Sequence, residues 1–150
     1  LVTKQAENLV NPVNPVKKLA GLNSYKVRLY STEAAVAYGF WERLDDLAAS
    51  SRVVIDRPHG TTHPRYPEFI YPLDYGYLEG TQTIDGGGVD VWMGSLPEKR
   101  VTGIICNVDM AKRDTELKLL LGCTPEEAEM ILQTHNNQFQ SAILIPRPGE

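Results

Sequence analysis

Between Tyr75 and Leu121 the apolar residues come in short runs, each closed by glycine, proline or an acid. Runs of that length make strands, because a helix needs an apolar stripe sustained over several turns. Strands are therefore expected at Tyr75 to Gly80, Val89 to Gly94, Val101 to Val108 and Leu117 to Leu121, with Ala142 to Ile145 as the last. Arg52 to Asp56, rich in β-branched residues, precedes them as a further short strand. Helices are predicted on either side of this block. Ser31 or Thr32 caps one that runs to about Ala49, with Val36, Phe40, Trp41, Leu44 and Leu47 on one face. Thr124-Pro125-Glu126-Glu127 opens the other with an N-cap, a proline at the first helical position and an acid at the third. Ala128, Ile131, Leu132 and His135 then share a side. Short strands joined by turns, flanked by helices, give a mainly β (α+β) fold, expected as a small antiparallel barrel.

A chain of 150 residues, 42% of them hydrophobic, buries one sizeable core. A single domain is expected over residues 25–150. Residues 1–24 read as an arm, because the prolines of Asn11-Pro12-Val13-Asn14-Pro15-Val16 forbid both helix and central strand. Tyr25 to Tyr30 alternates apolar and basic residues and is expected as an edge strand. A net charge of -4 excludes the global basic field that would draw the chain to nucleic acid or an anionic membrane. No apolar stretch is long enough to span a bilayer. Cys106 and Cys123 lie at no metal-ligand spacing and read as core thiols, which points to a reducing, cytoplasmic setting.

The chemistry is concentrated in acids. Asp85-Gly86-Gly87-Gly88-Val89-Asp90 holds two aspartates, and Asp109 and Asp114 follow beyond the next apolar run. Carboxylate oxygens are what Mg²⁺ and Ca²⁺ prefer, and Mg²⁺ keeps open positions for water or phosphate. By itself the glycine-rich stretch reads first as a hairpin connection, with glycines for positive φ and aspartates for turn hydrogen bonds, and its surroundings turn the reading toward a metal loop. Upstream, residues 57–74 contain four prolines, two histidines and two arginines, a composition that makes an ordered loop. His59 and His63 have the pKa range to donate to a phosphate. Their spacing also suits zinc, but no third ligand accompanies them.

Taken together with Tyr71-Pro72-Leu73-Asp74-Tyr75-Gly76-Tyr77, these acids resemble the soluble family I inorganic pyrophosphatases over roughly residues 52–137. In that family a strand ending in an acid leads to a basic loop, a Tyr-Pro-x-Asn-Tyr-Gly-Tyr segment and an Asp-Gly-Asp-Pro-x-Asp loop. The resemblance implies a closed, OB-like five-stranded barrel, Mg²⁺ as cofactor, pyrophosphate as substrate and a homo-oligomer. It implies Asp85, Asp90 and Asp114 as ligands of the tightest metal, Asp56 and Asp109 as ligands of further ions, and Tyr75 and Arg65 on phosphate oxygens. The departures are specific. Gly87 stands where the family has the aspartate that takes the proton from attacking water. Met110 replaces an acid, Glu116 stands where a lysine is expected, and Asn136-Asn137 replace a Tyr-Lys pair. Asp74 stands at the family's asparagine and is the carboxylate proposed as substitute base; it reads equally as a turn cap. The readings implied are a slow Mg²⁺-dependent pyrophosphatase, a hydrolase for another phosphorylated small molecule, or a metal- and phosphate-binding module without turnover.

Overall fold

A computed structural model of the chain describes residues 39–149. The readings at residues 1–24, at Tyr25 to Tyr30, and at the helix start with Val36 lie outside them. All of the described residues except Gly39 and Phe40 belong to one compact unit, Trp41–Glu150. In chain order the elements are α1 (Phe40–Ala49), β1 (Val53–Arg57), β2 (Asp74–Leu78), β3 (Val89–Met93), β4 (Val101–Asp109), β5 (Asp114–Leu121), α2 (Pro125–Thr134) and β6 (Gln140–Pro146). Every strand expected in this region forms, within a few residues of its expected ends.

The strands make one sheet in the order β1-β2-β3-β5-β4-β6. All neighbours are antiparallel except β3 and β5, which run parallel. The expected closed, five-stranded antiparallel barrel is therefore not what forms among the described residues. Among the described residues six strands pair, and β1 and β6 stand at the two ends of their order. The β4–β5 hairpin inserts through β5, so β4 lies outside it and carries β6 further from β1.

Part of the β6 edge is occupied by side chains. The Asn136 amide accepts from the Ala142 N–H at 3.0 Å and donates to its carbonyl at 3.4 Å, as a neighbouring strand would. Asn137 does the same for Gln140, through its side-chain oxygen at 3.1 Å and its own N–H at 3.0 Å. Pro146 ends the strand with no N–H to offer.

Alternation gives the sheet two faces. On one, Leu78, Val91, Val101, Ile104, Leu119 and Leu121 pack with Trp41 and Ala48 of α1. On the other, Trp92, Ile105 and Leu120 pack with Tyr71, Cys123 and with Ala128 and Ile131 of α2. Each such side chain contributes about 1.5–3 kcal/mol when fully buried. Gly76 allows β1 and β2 to pair closely: a Cβ there would run into the Val54 carbonyl. The start of α2 follows its sequence signature, with Thr124 accepting from the Glu127 N–H at 3.2 Å and Glu127 accepting from the Thr124 N–H at 2.9 Å. Both cysteines are free; Cys123 is buried, which pushes its thiol up to about 12, and Cys106 is partly exposed.

Candidate active site

Toward the β4–β5 turn, the apolar rows of the α2 face give way to polar ones. Cross-strand partners point to the same side, so the register lines up residues far apart in sequence. One row runs Tyr77, Asp90, Lys118, Ile105, Leu144. The next runs Glu116, Asn107, Ala142, and the last Asp114, Asp109, Gln140. Tyr75 stands beside Trp92 in the apolar row behind them.

Lys118 is the centre of this patch. It is 4% exposed, and its ammonium donates to Asp90 Oδ2 at 2.6 Å, Glu116 Oε2 at 2.6 Å and Tyr75 Oη at 3.0 Å. Burial works against the charge, but Asp90 and Glu116 outweigh it and hold the pKa above the usual lysine value. Glu116 is correspondingly held low: burial opposes this, and Lys118 and Lys112 overcome it. Burial and the Asp90 charge push the Tyr75 phenol well up, so its proton stays on. Charged hydrogen bonds of this length in a dry setting are strong and fix all three partners.

Sequence reasoning did not single out Lys118, although a signal was present. A lysine enclosed in Leu117-Lys118-Leu119-Leu120-Leu121 sits in a buried strand. Glu116-Leu117-Lys118 also has the acid-x-lysine spacing that the resemblance sought after Asp114, two residues further along.

Asp109 is 4% exposed and fully engaged. Its Oδ1 accepts from the backbone N–H groups of Ala111 at 2.8 Å and Lys112 at 3.0 Å, and its Oδ2 from Gln140 Nε2 at 2.7 Å. The Lys112 amide is the largest of the influences that keep its pKa low. Asp114 lies across the ladder, with its Oδ1 buried and without a donor, as is Asn107 Oδ1.

The remaining predicted residues lie apart from this patch. Asp85 is exposed in its turn, where its Oδ1 accepts from Thr83 Oγ1 at 2.6 Å and from the Gly87 N–H at 3.0 Å. The Thr83 hydroxyl foremost depresses its pKa. Asp56 is the extra residue of a bulge in β1, and it pairs with Arg57 at 3.0 Å. That bulge sets Arg57 opposite Tyr75, turning it toward the α2 face. Asp74 pairs in register with Met93, which packs on the α1 side, and its Oδ1 accepts from the His59 N–H at 2.8 Å.

Arg65 is exposed, and its backbone N–H donates to His63 Nδ1 at 3.1 Å. Tyr66 makes a second such bond to the same nitrogen at 3.1 Å, which anchors the His63 ring in the loop. Burial, then Arg57 and Arg65, lower the His63 pKa. Among the described residues, no hydrogen bond or ion pair joins Asp56, Asp74, Asp85 or the Arg65 side chain to Lys118, Asp109 or Asp114.

Among the described residues no group of three or more His, Cys, Asp or Glu side chains converges to hold a metal ion. The donor chemistry of the patch nevertheless fits a hard cation. Its acceptors are all oxygens, and two of them, Asp114 Oδ1 and Asn107 Oδ1, are buried with no partner, a costly arrangement that a cation or a donor relieves.

No family model matches this chain, and no curated protein matches it. Solved structures do. The fold is similar to that of an inorganic pyrophosphatase from Neisseria gonorrhoeae, with a TM-score of 0.52 and 18% identity over 63% of this chain and 81% of that one. An inorganic phosphatase from Anaplasma phagocytophilum aligns with a TM-score of 0.49 and 15% identity over 63% of this chain and 83% of that one. The likeness is one of fold.

Proposed function

We propose that this chain hydrolyses inorganic pyrophosphate with Mg²⁺ at the polar end of the α2 face. The observation that carries the reading is Lys118, buried and charged between Asp90, Glu116 and Tyr75 on a pyrophosphatase-like fold. A buried cation beside acids and a protonated phenol suits an anion whose charge is shared with a metal. Asp90, Asp109 and Asp114 would hold Mg²⁺, with Glu116 added by its place in the same rows; Asp85 and Asp56, which lie apart from these rows, would join only by moving toward them.

When bound, the metal would supply charge neutralisation on the phosphates and a water acidic enough to attack near neutral pH. The chain's own part is to bind and orient. Arg57 and Arg65 would meet phosphate oxygens, Lys118 would do so by releasing one of the three acceptors its ammonium now serves, and Tyr75 would donate its O–H, which its raised pKa keeps in place. Water adds to one phosphorus, the bridging oxygen leaves with the other phosphate, and the water's proton needs an acceptor. Gly87 offers none. Asp74 is the substitute base proposed; its Oδ1 holds the His59 N–H, and it would act through Oδ2 only after turning from the α1 side of the sheet toward the patch. A missing base slows hydrolysis by about 10²- to 10⁴-fold without abolishing it.

A second reading is a binding module without turnover, or a hydrolase of another phosphorylated small molecule. It is favoured by Lys118 having its donors already committed inside the protein. Phosphate release from pyrophosphate, with and without Mg²⁺, in the wild type and in Asp90→Asn, decides between them. Release that requires Mg²⁺ and is lost in the variant supports the proposal. Mg²⁺ binding by calorimetry without release leaves the module, and a panel of phosphate esters then tests other substrates. A homo-oligomer in the cytoplasm belongs to the same proposal, and light scattering reads the assembly. No described helix is long and apolar enough to cross a membrane.

A further inference from the structure

His135, at the C-cap of α2, is 8% exposed and makes no hydrogen bond to Lys118 or to the acids of the patch. It is tied to the patch by a directed chain of hydrogen bonds. The Trp92 indole can only donate, and its Nε1–H points at His135 Nε2 at 3.2 Å inside the core. Nε2 must therefore be the bare nitrogen, and the ring proton sits on Nδ1. Nδ1 lies 3.4 Å from Gln140 Oε1, so the histidine donates to the carbonyl end of that amide. With its oxygen facing His135, Gln140 presents its NH₂ to Asp109 Oδ2 at 2.7 Å.

Every link points the same way, from the indole toward the carboxylate. The opposite tautomer would set two donors against each other at Trp92 and leave Gln140 free to turn its oxygen toward Asp109, acceptor against acceptor. Asp109 Oδ1 is already held by two backbone N–H groups, so the Gln140 bond fixes the remaining freedom of the carboxylate.

We propose that His135 is a positioning residue for the acid patch: its Nδ1–H tautomer, imposed by Trp92, orients Gln140 and through it Asp109. The inference rests on the reading of this patch as the Mg²⁺ and phosphate site. Groups that orient a metal-binding carboxylate from behind typically carry about 10- to 100-fold of metal affinity. Asparagine places a donor near the position of Nδ1, whereas phenylalanine keeps the ring's bulk and offers none.

The test combines ¹⁵N NMR of histidine-labelled full chain at pH 7 with Mg²⁺ calorimetry on wild type, His135→Asn, His135→Phe, Gln140→Leu and Asp109→Asn. Gln140→Leu leaves Trp92 and His135 in place and serves if His135→Phe does not fold. The expected results are a protonated Nδ1, wild-type Mg²⁺ affinity within about threefold in His135→Asn, and a loss of about 10- to 100-fold in His135→Phe and Gln140→Leu. A ring protonated on Nε2 overturns the proposal. So does equal Mg²⁺ affinity in His135→Asn, His135→Phe and Gln140→Leu when Asp109→Asn weakens it. If Asp109→Asn leaves Mg²⁺ binding unchanged, the functional reading fails instead. The positioning role is then decided by the tautomer and by the Gln140 side-chain amide resonance, which should keep its downfield position in His135→Asn and lose it in His135→Phe.

Discussion

Two connections carry a pair of aspartates each, and their surroundings are opposite. In the glycine-rich turn before β3, Asp85 is exposed and satisfied by its own turn, next to a fully exposed Ile84 and a Gly86 at φ 88°. In the tight β4–β5 turn, closed by Arg113 at φ 62°, Asp109 is buried and pinned at both oxygens, and Asp114 keeps a buried oxygen without a donor. Asp90, at the far end of the first motif, behaves like the second pair because it lies in a strand beside Lys118. What an acid can do is set less by the motif it belongs to than by what stands across the ladder from it.

The sharpest way to break that contrast is Lys118→Met, which leaves Asp90 without its cation and Glu116 with the more exposed Lys112 alone. Removing one partner of a buried ion pair costs about 3–5 kcal/mol, and the partial exposure of both carboxylates puts this case near the lower end. Urea unfolding should show that loss together with loss of phosphate release. A variant as stable as wild type would mean the patch is not organised by Lys118.

Acid should act on the same region through His135. Burial foremost, then Lys118, lowers its pKa to about 4. The folded ring therefore resists a proton that the unfolded ring accepts below about 6.5. The stability it contributes is whole above that pH, declines as pH falls toward 4, and levels off once the folded ring is charged, for a total of about 3 kcal/mol. Denaturation curves at pH 7, 5 and 4 should show that decline, and His135→Phe should flatten it. An unchanged slope in the variant would assign the acid sensitivity elsewhere.

Gly87→Asp asks whether the exposed turn lacks only its base. A Cβ at Gly87 comes 3.3 Å from Asp85 Oδ1 and meets no backbone, so the substitution fits with a small shift. Phosphate release should rise at least about 10-fold, within the range a general base supplies. No gain would show that the turn does not reach the substrate. Asp85→Asn carries the smallest expectation, a change in stability within about 0.5 kcal/mol and a modest loss of Mg²⁺-dependent release. If it removes release as completely as Asp90→Asn, the exposed turn belongs to the site on equal terms and the contrast drawn above is wrong.

What could be read in advance was local. The capping box at Thr124 and Glu127, the strand runs and the buried His135 depend on residues a few positions apart, and they formed as expected. What could not be read depends on partners distant in sequence. The parallel pairing of β3 with β5 brings Lys118 to Asp90, and nothing within either strand announces it. The bulge at Asp56 exchanges the roles of two adjacent residues, sending Arg57 toward Tyr75 where strict alternation pointed to the acid. Asn136 and Asn137 registered only as a missing Tyr-Lys pair, because their work is done on β6, across a turn.

That work has a consequence for how copies of the chain meet one another. A last strand of Gln140-Ser141-Ala142-Ile143-Leu144-Ile145-Pro146 has no charge and exposes Ile143 and Ile145, a composition that templates fibre growth when its rim is open. Two asparagine amides and a proline occupy that rim. Along the part of the rim they cover they act as a full stop, keeping one sheet from being extended by the next molecule.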